Sequence, residues 1–182
     1  MKEAADQLML ALNIPRQDIR WATNSQEVST ALQLNLYPPC PNPSKALGLL
    51  QHTDTSRFTF IQQINNTNGL QVFNDGKWLT VTPVNTHAVL VNVSDLLHIM
   101  SNGRFKSVLH CAEVSQTCHR LSTAYFYIPL VEYEISPLCL EGLDQFPLYR
   151  SLKVREYIAL KSKHNFEALS LIKDKVDDIT ER

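Results

Sequence analysis

Between residues 31 and 130 the chain breaks into short apolar stretches separated by turn signals, and no other feature narrows its fold as far. "ALQLNLY" alternates apolar and polar residues, as a strand does, and stops at the proline-dense "PPCPNP". "FTFIQQI" (Phe58–Ile64) ends at "NNTNG". "LQVFN" runs into Asp75-Gly76, a tight hairpin signal, and "KWLTVTPV" follows it. "HAVLVNV" (His87–Val93) is nearly all apolar, which predicts a buried strand. "KSVLHCAEV" and "HRLSTAYFYIP" add two more strands. Short strands at this spacing predict a sandwich or jelly-roll barrel.

The flanks read differently. "MKEAADQLMLALNIP" predicts an amphipathic helix over residues 1–14, stopped by Pro15, and the polar "RQDIRWATNSQEVST" follows. "SDLLHIMSNGRF" predicts a short turn or helix closing on Asn102-Gly103. Towards the C-terminus, Val154, Tyr157, Ile158, Phe166, Leu169 and Ile172 fall at helical spacing, so helices are expected over about 150–175, packed on the barrel. The expected class is mainly β with flanking helices. A single domain is expected over 1–182, with its jelly-roll core at about 31–130.

Composition removes several function classes. Apolar residues make up 44% and charged residues 19%, which is a globular balance, and the formal net charge of −1 draws neither nucleic acid nor an anionic membrane. No apolar run is long enough to span a bilayer, and no secretory leader is visible. The four cysteines, Cys40, Cys111, Cys118 and Cys139, form no CxxC pair. They predict reduced thiols and a cytoplasmic location, with the nucleus as the alternative. No obligate protein partner is expected.

Candidate chemistry starts at "LQHTDTS". His52 and Asp54 are two apart, so on a strand both side chains point to one side, with the apolar "ALGLL" as the core strand that aims them. An ordinary polar strand face would look the same. A third ligand would make a 2-His-1-carboxylate site with open positions. His110, ending "SVLH", is the best candidate, and His98 and His119 compete with it. Arg120 and Ser122 in "RLS" repeat the two-residue spacing, expected one strand across a hairpin from His110. An inward arginine needs an anion, and its planar fork suits a carboxylate. Cys111 and Cys118 are poor ligands for such a site. Asp95 reads as a turn or cap residue with a supporting role open. Phe58, Phe60, Phe126 and Tyr127 read as barrel core before cavity wall.

These motifs, "HTD", "SVLHCAEV", "RLS" and "LNLYPPCP", resemble in order and spacing those of the plant 2-oxoglutarate- and iron(II)-dependent dioxygenases. Within that family "LGLLQHTDTS", "NNTNGLQVF", "VNVSDLLHIMSNGRFKSVLH" and "FPLYRSL" look most like the gibberellin 3-beta-dioxygenases, from Met1 to about Lys173. The resemblance implies iron(II) on His52, Asp54 and His110, with 2-oxoglutarate held by Arg120, Ser122 and Tyr37, and Asn35 beside them. It implies dioxygen as co-substrate, ascorbate as reductant, and a gibberellin-like diterpenoid acid hydroxylated at an unactivated C–H bond. A gibberellin 2- or 20-oxidase, a flavonoid oxidase, or a non-catalytic metal-binding jelly roll are the alternatives. The family's N-terminal region, which covers part of the substrate cavity, is expected to be absent. Gln51, Cys111, Ile128 and the glycine-free "PVNTHAVLVNVSD" depart from the family pattern without removing a metal or 2-oxoglutarate contact.

Overall fold

A computed structural model describes residues 2–11, 28–82, 85, 87–138 and 146–173. Pro15, the polar segment up to residue 27, the last residues of the expected first helix, Pro83, Cys139 and residues 174–175 lie outside the described residues.

Two four-stranded antiparallel sheets face each other as a jelly roll. The first contains β1 (Val28–Tyr37), β8 (Arg120–Pro129), β3 (Phe58–Gln63) and β6 (Val89–Val93), in that order. The second runs β2 (Leu47–His52), β7 (His110–Glu113), β4 (Leu70–Asn74) and β5 (Lys77–Thr80). A small ribbon joins β9 (Glu134–Ile135) to β10 (Leu152–Lys153). Asp75 (φ 48°) and Gly76 (φ 78°) turn β4 into β5, the two positive dihedrals that a two-residue hairpin of type I′ needs. β1 and β8 pair along their whole length, from Val28 opposite Pro129 to Tyr37 opposite Arg120.

Alternation divides the first sheet into two faces. Phe58 and Phe60 of β3 and Tyr127 of β8 point outwards. They are covered by α1 (Lys2–Ala11), α2 (Asp95–Met100) and α3 (Val154–His164), with the short α4 (Ala168–Leu171) behind. Ala5, Met9, Leu96, Leu97, Ile99, Met100, Val154 and Tyr157 complete this larger core, each essentially buried. Ile61 and Ala124, at positions of the opposite parity, point inwards and meet Leu70 of the second sheet in a smaller core. The expectation that Phe58, Phe60 and Tyr127 are core therefore holds, and Phe126 alone of the four lines the interior cavity.

Several expectations need correction. "HAVLVNV" is not a buried strand: β6 starts only at Val89 and lies at the edge of its sheet, leaving Val89 and Val91 well exposed. "ALGLL" is likewise not core. β2 is the edge of the second sheet, and Leu47 and Leu50 are exposed, the latter by 71%. An apolar run reports burial only when a neighbour covers it, and edge strands lack one on one side. His110 begins β7 instead of ending a strand. β7 and β8 do not form a hairpin, because they belong to opposite sheets. In the C-terminal helices, Val154, Tyr157 and Ile172 are buried as the spacing predicts, but Ile158 and Phe166 are exposed.

Candidate metal centre

β2 ends at His52, and the chain leaves the sheet through Thr53 and Asp54. Register places His52 opposite His110 at the start of β7. The two imidazoles lie 4.3 Å apart between centroids. Asp54 Oδ1 sits 3.5 Å from His52 Nε2 and 3.7 Å from His110 Nε2. One donor atom from each residue falls within 4.8 Å of the others. His98 and His119 are not part of this group. His98 bonds the Phe105 carbonyl and the Tyr149 hydroxyl at the far end of α2, while the His119 carbonyl accepts bonds from Asn65 and Thr67.

The other ring nitrogens decide what the cluster can do. Nδ1 of His52 lies 2.8 Å from the Leu50 carbonyl, and Nδ1 of His110 lies 2.9 Å from the Val108 carbonyl. A carbonyl only accepts, so each Nδ1 carries the hydrogen. In the neutral ring each Nε2 then keeps a lone pair turned towards Asp54, and in the protonated ring it carries a hydrogen that Asp54 can accept. Metal-binding histidines are oriented by this kind of outer bond. Asp54 is buried, and its Oδ2 meets no hydrogen-bond donor among the described residues. A buried carboxylate oxygen without a donor is costly, and a cation would satisfy it. The donor set, two imidazoles and one carboxylate, suits a first-row divalent metal such as iron(II). The three residues could therefore hold one.

Charge within the cluster is tightly linked. Burial pulls the His52 imidazole down, but the bonds to Asp54 and the Leu50 carbonyl and the Asp54 charge carry it above the usual histidine value. Burial dominates at His110 and holds it below that value. Burial pushes Asp54 up, yet the His52 bond and the His110 charge bring it below the usual carboxylate range.

The inner ends of β1 and β8 form the second half of the site. Arg120 is buried, and its guanidinium lies 3.4 Å from both Gln63 Oε1 and Ser122 Oγ, with its carbon 5.2 Å from the Tyr37 ring centroid. Among the described residues no carboxylate pairs with it within 4.0 Å. Register sets Tyr37 opposite Arg120 and Asn35 opposite Ser122, so β1 and β8 present all four to one place. Burial raises the Tyr37 hydroxyl above its ordinary value against the pull of Arg120, so the phenol stays a donor at neutral pH. A buried arginine beside two hydroxyl donors could take a carboxylate. His52, Asp54, His110, Arg120, Ser122, Tyr37 and Asn35 line one cavity of about 460 Å³, counting its open mouth, with Ile61, Leu70, Ala124 and Phe126 as its apolar wall. Cys111 also lines it but is not within the ligand group.

Residues beyond the expected ligands support both halves. A Cβ on Gly48 would meet the Tyr37 ring at 2.5 Å, so only glycine lets that ring lie where it does. Gly69 does the same for the Arg120 side chain, at 2.9 Å, and has φ 153°. Asp95 is not a cap: it makes no side-chain bond to its own helix end and instead accepts from Thr53. Gly48 and Gly69 could have been singled out beside the motif residues, whereas nothing in the local sequence shows what Asp95 meets.

The model of the 2OG-Fe(II) oxygenase superfamily matches residues 28–129, the span that holds every residue of this cavity. The chain belongs to that superfamily. It is 47% identical to gibberellin 3-beta-dioxygenase 1 of Arabidopsis thaliana, over 96% of this chain and 51% of that protein. It is 43% identical to gibberellin 3-beta-dioxygenase 1 of Pisum sativum, over 95% of this chain and 48% of that one. The chain thus spans about half the length of the curated relatives it matches. Among solved structures it is similar to JOX2 in complex with 2OG, Fe and JA, with a TM-score of 0.83 and 30% identity over 93% of this chain and 51% of JOX2. The superfamily's iron and 2-oxoglutarate correspond in kind to the two halves of the cavity, one able to hold a divalent metal and one able to take an anion.

Proposed function

We propose that this chain carries the oxygenase centre of a gibberellin 3-beta-hydroxylase. The convergence of His52, Asp54 and His110 on one point, with both Nδ1 atoms tied to backbone carbonyls, supports the metal half. The names of curated relatives that the chain matches support the substrate. In this reading the three residues hold iron(II). Arg120, Ser122 and Tyr37 bind the far carboxylate of 2-oxoglutarate, with Asn35 beside them. When bound, iron(II) with 2-oxoglutarate and dioxygen supplies oxidation of a C–H bond to an alcohol, with succinate and carbon dioxide as the other products.

The chain's own residues then have three tasks. Once His52 has given up its proton, His52 and His110 would offer Nε2 lone pairs, and Asp54 would supply one negative charge. Arg120 fixes the co-substrate by charge and planarity, and the Tyr37 and Ser122 hydroxyls donate to it. Ile61, Leu70, Ala124 and Phe126 keep water from the space between. The described residues form the catalytic core, and a small apolar acid enters at its open mouth. Among the described residues no helix is long and apolar enough to cross a membrane. The free thiols of Cys40, Cys111 and Cys118 fit a reducing compartment, so the cytoplasm or nucleus is the proposed location.

The test is succinate release from 2-oxoglutarate with iron(II) and ascorbate. It is run with gibberellin precursors, with flavonoids, and with the substrates of gibberellin 2- and 20-oxidases. A 3-beta-hydroxylated product is expected from the first set. Turnover with another set alone would move the substrate assignment within the superfamily. A folded, iron-loaded chain with no turnover on any of them would leave a metal-binding jelly roll and overturn the enzymatic reading.

A further inference from the structure

Behind the ligand loop lies a buried polar cluster that neither the metal nor the anion half uses. Asp95, at the start of α2, is fully buried, as is the side chain of Tyr157 on α3. Asp95 Oδ2 accepts from the Thr53 hydroxyl (3.0 Å), the Tyr157 hydroxyl (2.7 Å) and Lys161 Nζ (2.5 Å). Lys161 also donates to Thr53 Oγ1. Its side chain is only 11% exposed. The backbone joins in: the Asp95 N–H donates to the Asp54 carbonyl (2.9 Å), and Leu96 N–H to the Ser56 carbonyl (3.2 Å). Past the end of α3, Asn165 reaches back to the carbonyl of Gln51 at 3.4 Å.

Thr53 stands between His52 and Asp54. A buried lysine–aspartate pair brings little net stability over apolar packing, because both ions lose their water. Its cost makes sense where it holds something in place. Here three donors meet at one carboxylate oxygen, and two of the three residues that bring them, Tyr157 and Lys161, come from a helix remote in sequence from the ligand loop.

We infer that Lys161, with Asp95 and Tyr157, is a positioning residue of the metal centre: it clamps the His52–Asp54 loop from behind, so that α3 sets the spacing of two of the three ligands. This rests on the metal reading above. Lys161 lies outside the group of residues that could hold the metal. It acts through Thr53 and the Asp95 carboxylate.

The test is cobalt(II) titration of the full chain, with the visible d–d absorption of the bound ion as the signature of ligand geometry, and with the melting temperature of the metal-free protein alongside. Lys161→Met is expected to weaken cobalt binding about tenfold and to change the band shape, the size of effect that lost outer-shell partners produce. Lys161→Arg, which keeps the charge and a donor, is expected to recover the parent band. A structural role alone would lower the melting temperature and leave the band of the folded fraction unchanged. Tyr157→Phe removes one hydroxyl at almost constant volume and serves if Lys161→Met does not fold; it is expected to shift the band in the same direction by less. Cobalt affinity and band equal to the parent's in the folded variant would overturn the inference. Asp54→Ala separates the two levels. If it also binds cobalt like the parent, the metal reading fails and this inference with it. If Asp54→Ala loses binding and the Lys161 and Tyr157 variants do not, only the clamp is wrong.

Discussion

Strands β3 and β8 carry two kinds of surface on one backbone. On their outer face Phe58, Phe60 and Tyr127 sit under helices in a closed apolar core. On their inner face, one residue along, Thr59, Arg120 and Ser122 are buried polar groups around a cavity, with Gln63 buried behind them as the acceptor of an Arg120 bond. The outer face stores stability, and the inner face holds polar groups at the expense of packing. A one-residue slip of either strand would exchange them. The lesson is that this sheet separates folding from chemistry by alternation alone, so a substitution's effect can be forecast from its parity.

The largest expected effect is on the inner side of the barrel. Asp54→Ala should abolish measurable divalent-metal binding in a calorimetric titration while the fold remains, because it removes the single anionic donor. On the outer face, Phe58→Ala should lower unfolding free energy by about 3–5 kcal/mol in urea denaturation, yet leave metal affinity per folded molecule unchanged. Equal loss of metal affinity there would break the separation of faces. Arg120→Ala should weaken 2-oxoglutarate binding by about 2–4 kcal/mol, with metal affinity little changed, since it removes one side of a buried charge pair. Gly48→Ala sharpens the comparison further. Its Cβ would displace the Tyr37 ring, so 2-oxoglutarate affinity should fall, at a stability cost of about 1–3 kcal/mol.

The smallest effect is in pH. His52 is held above the ordinary histidine value of 6.5, and His110 below it. In the metal-free protein, protonated His52 contributes stability below about pH 6.5 that is lost as pH rises through its raised folded value. Metal binding runs the other way, because the proton must leave. Affinity should fall as pH drops towards and below 6.5, with His52 as the group responsible, and in the metal-free protein His52→Ala should remove the gain in stability on the acid side.

Much of the site could be read in advance because its parts are short-range. Arg120 and Ser122 are two residues apart on β8, and alternation alone turns both to one side, whereas Asp54 lies past the end of β2 and reaches His52 through the loop that follows it. Asp75-Gly76 likewise announces its hairpin through backbone dihedrals that few residues adopt. The failures were long-range. "HAVLVNV" and "ALGLL" look like core because they are apolar, but whether a strand is central or at an edge depends on sheet order. β7 and β8 follow each other in the chain and still belong to different sheets. Asp95 looks like a helix cap because its partners, Tyr157 and Lys161, are far away in sequence.

Local sterics and alternation were enough to write the strand-rich class, the Asp75-Gly76 hairpin and the Arg120–Ser122 pair into the sequence. The tertiary structure decided the rest. It brought His110 beside His52 through the β2–β7 register and set Arg120 on the opposite sheet. It left β2 and β6 as exposed edges, and it placed Lys161 of α3 behind Thr53. Such contacts follow from which strands and helices pack together, a choice made by the burial of the whole chain and not by any one stretch of it.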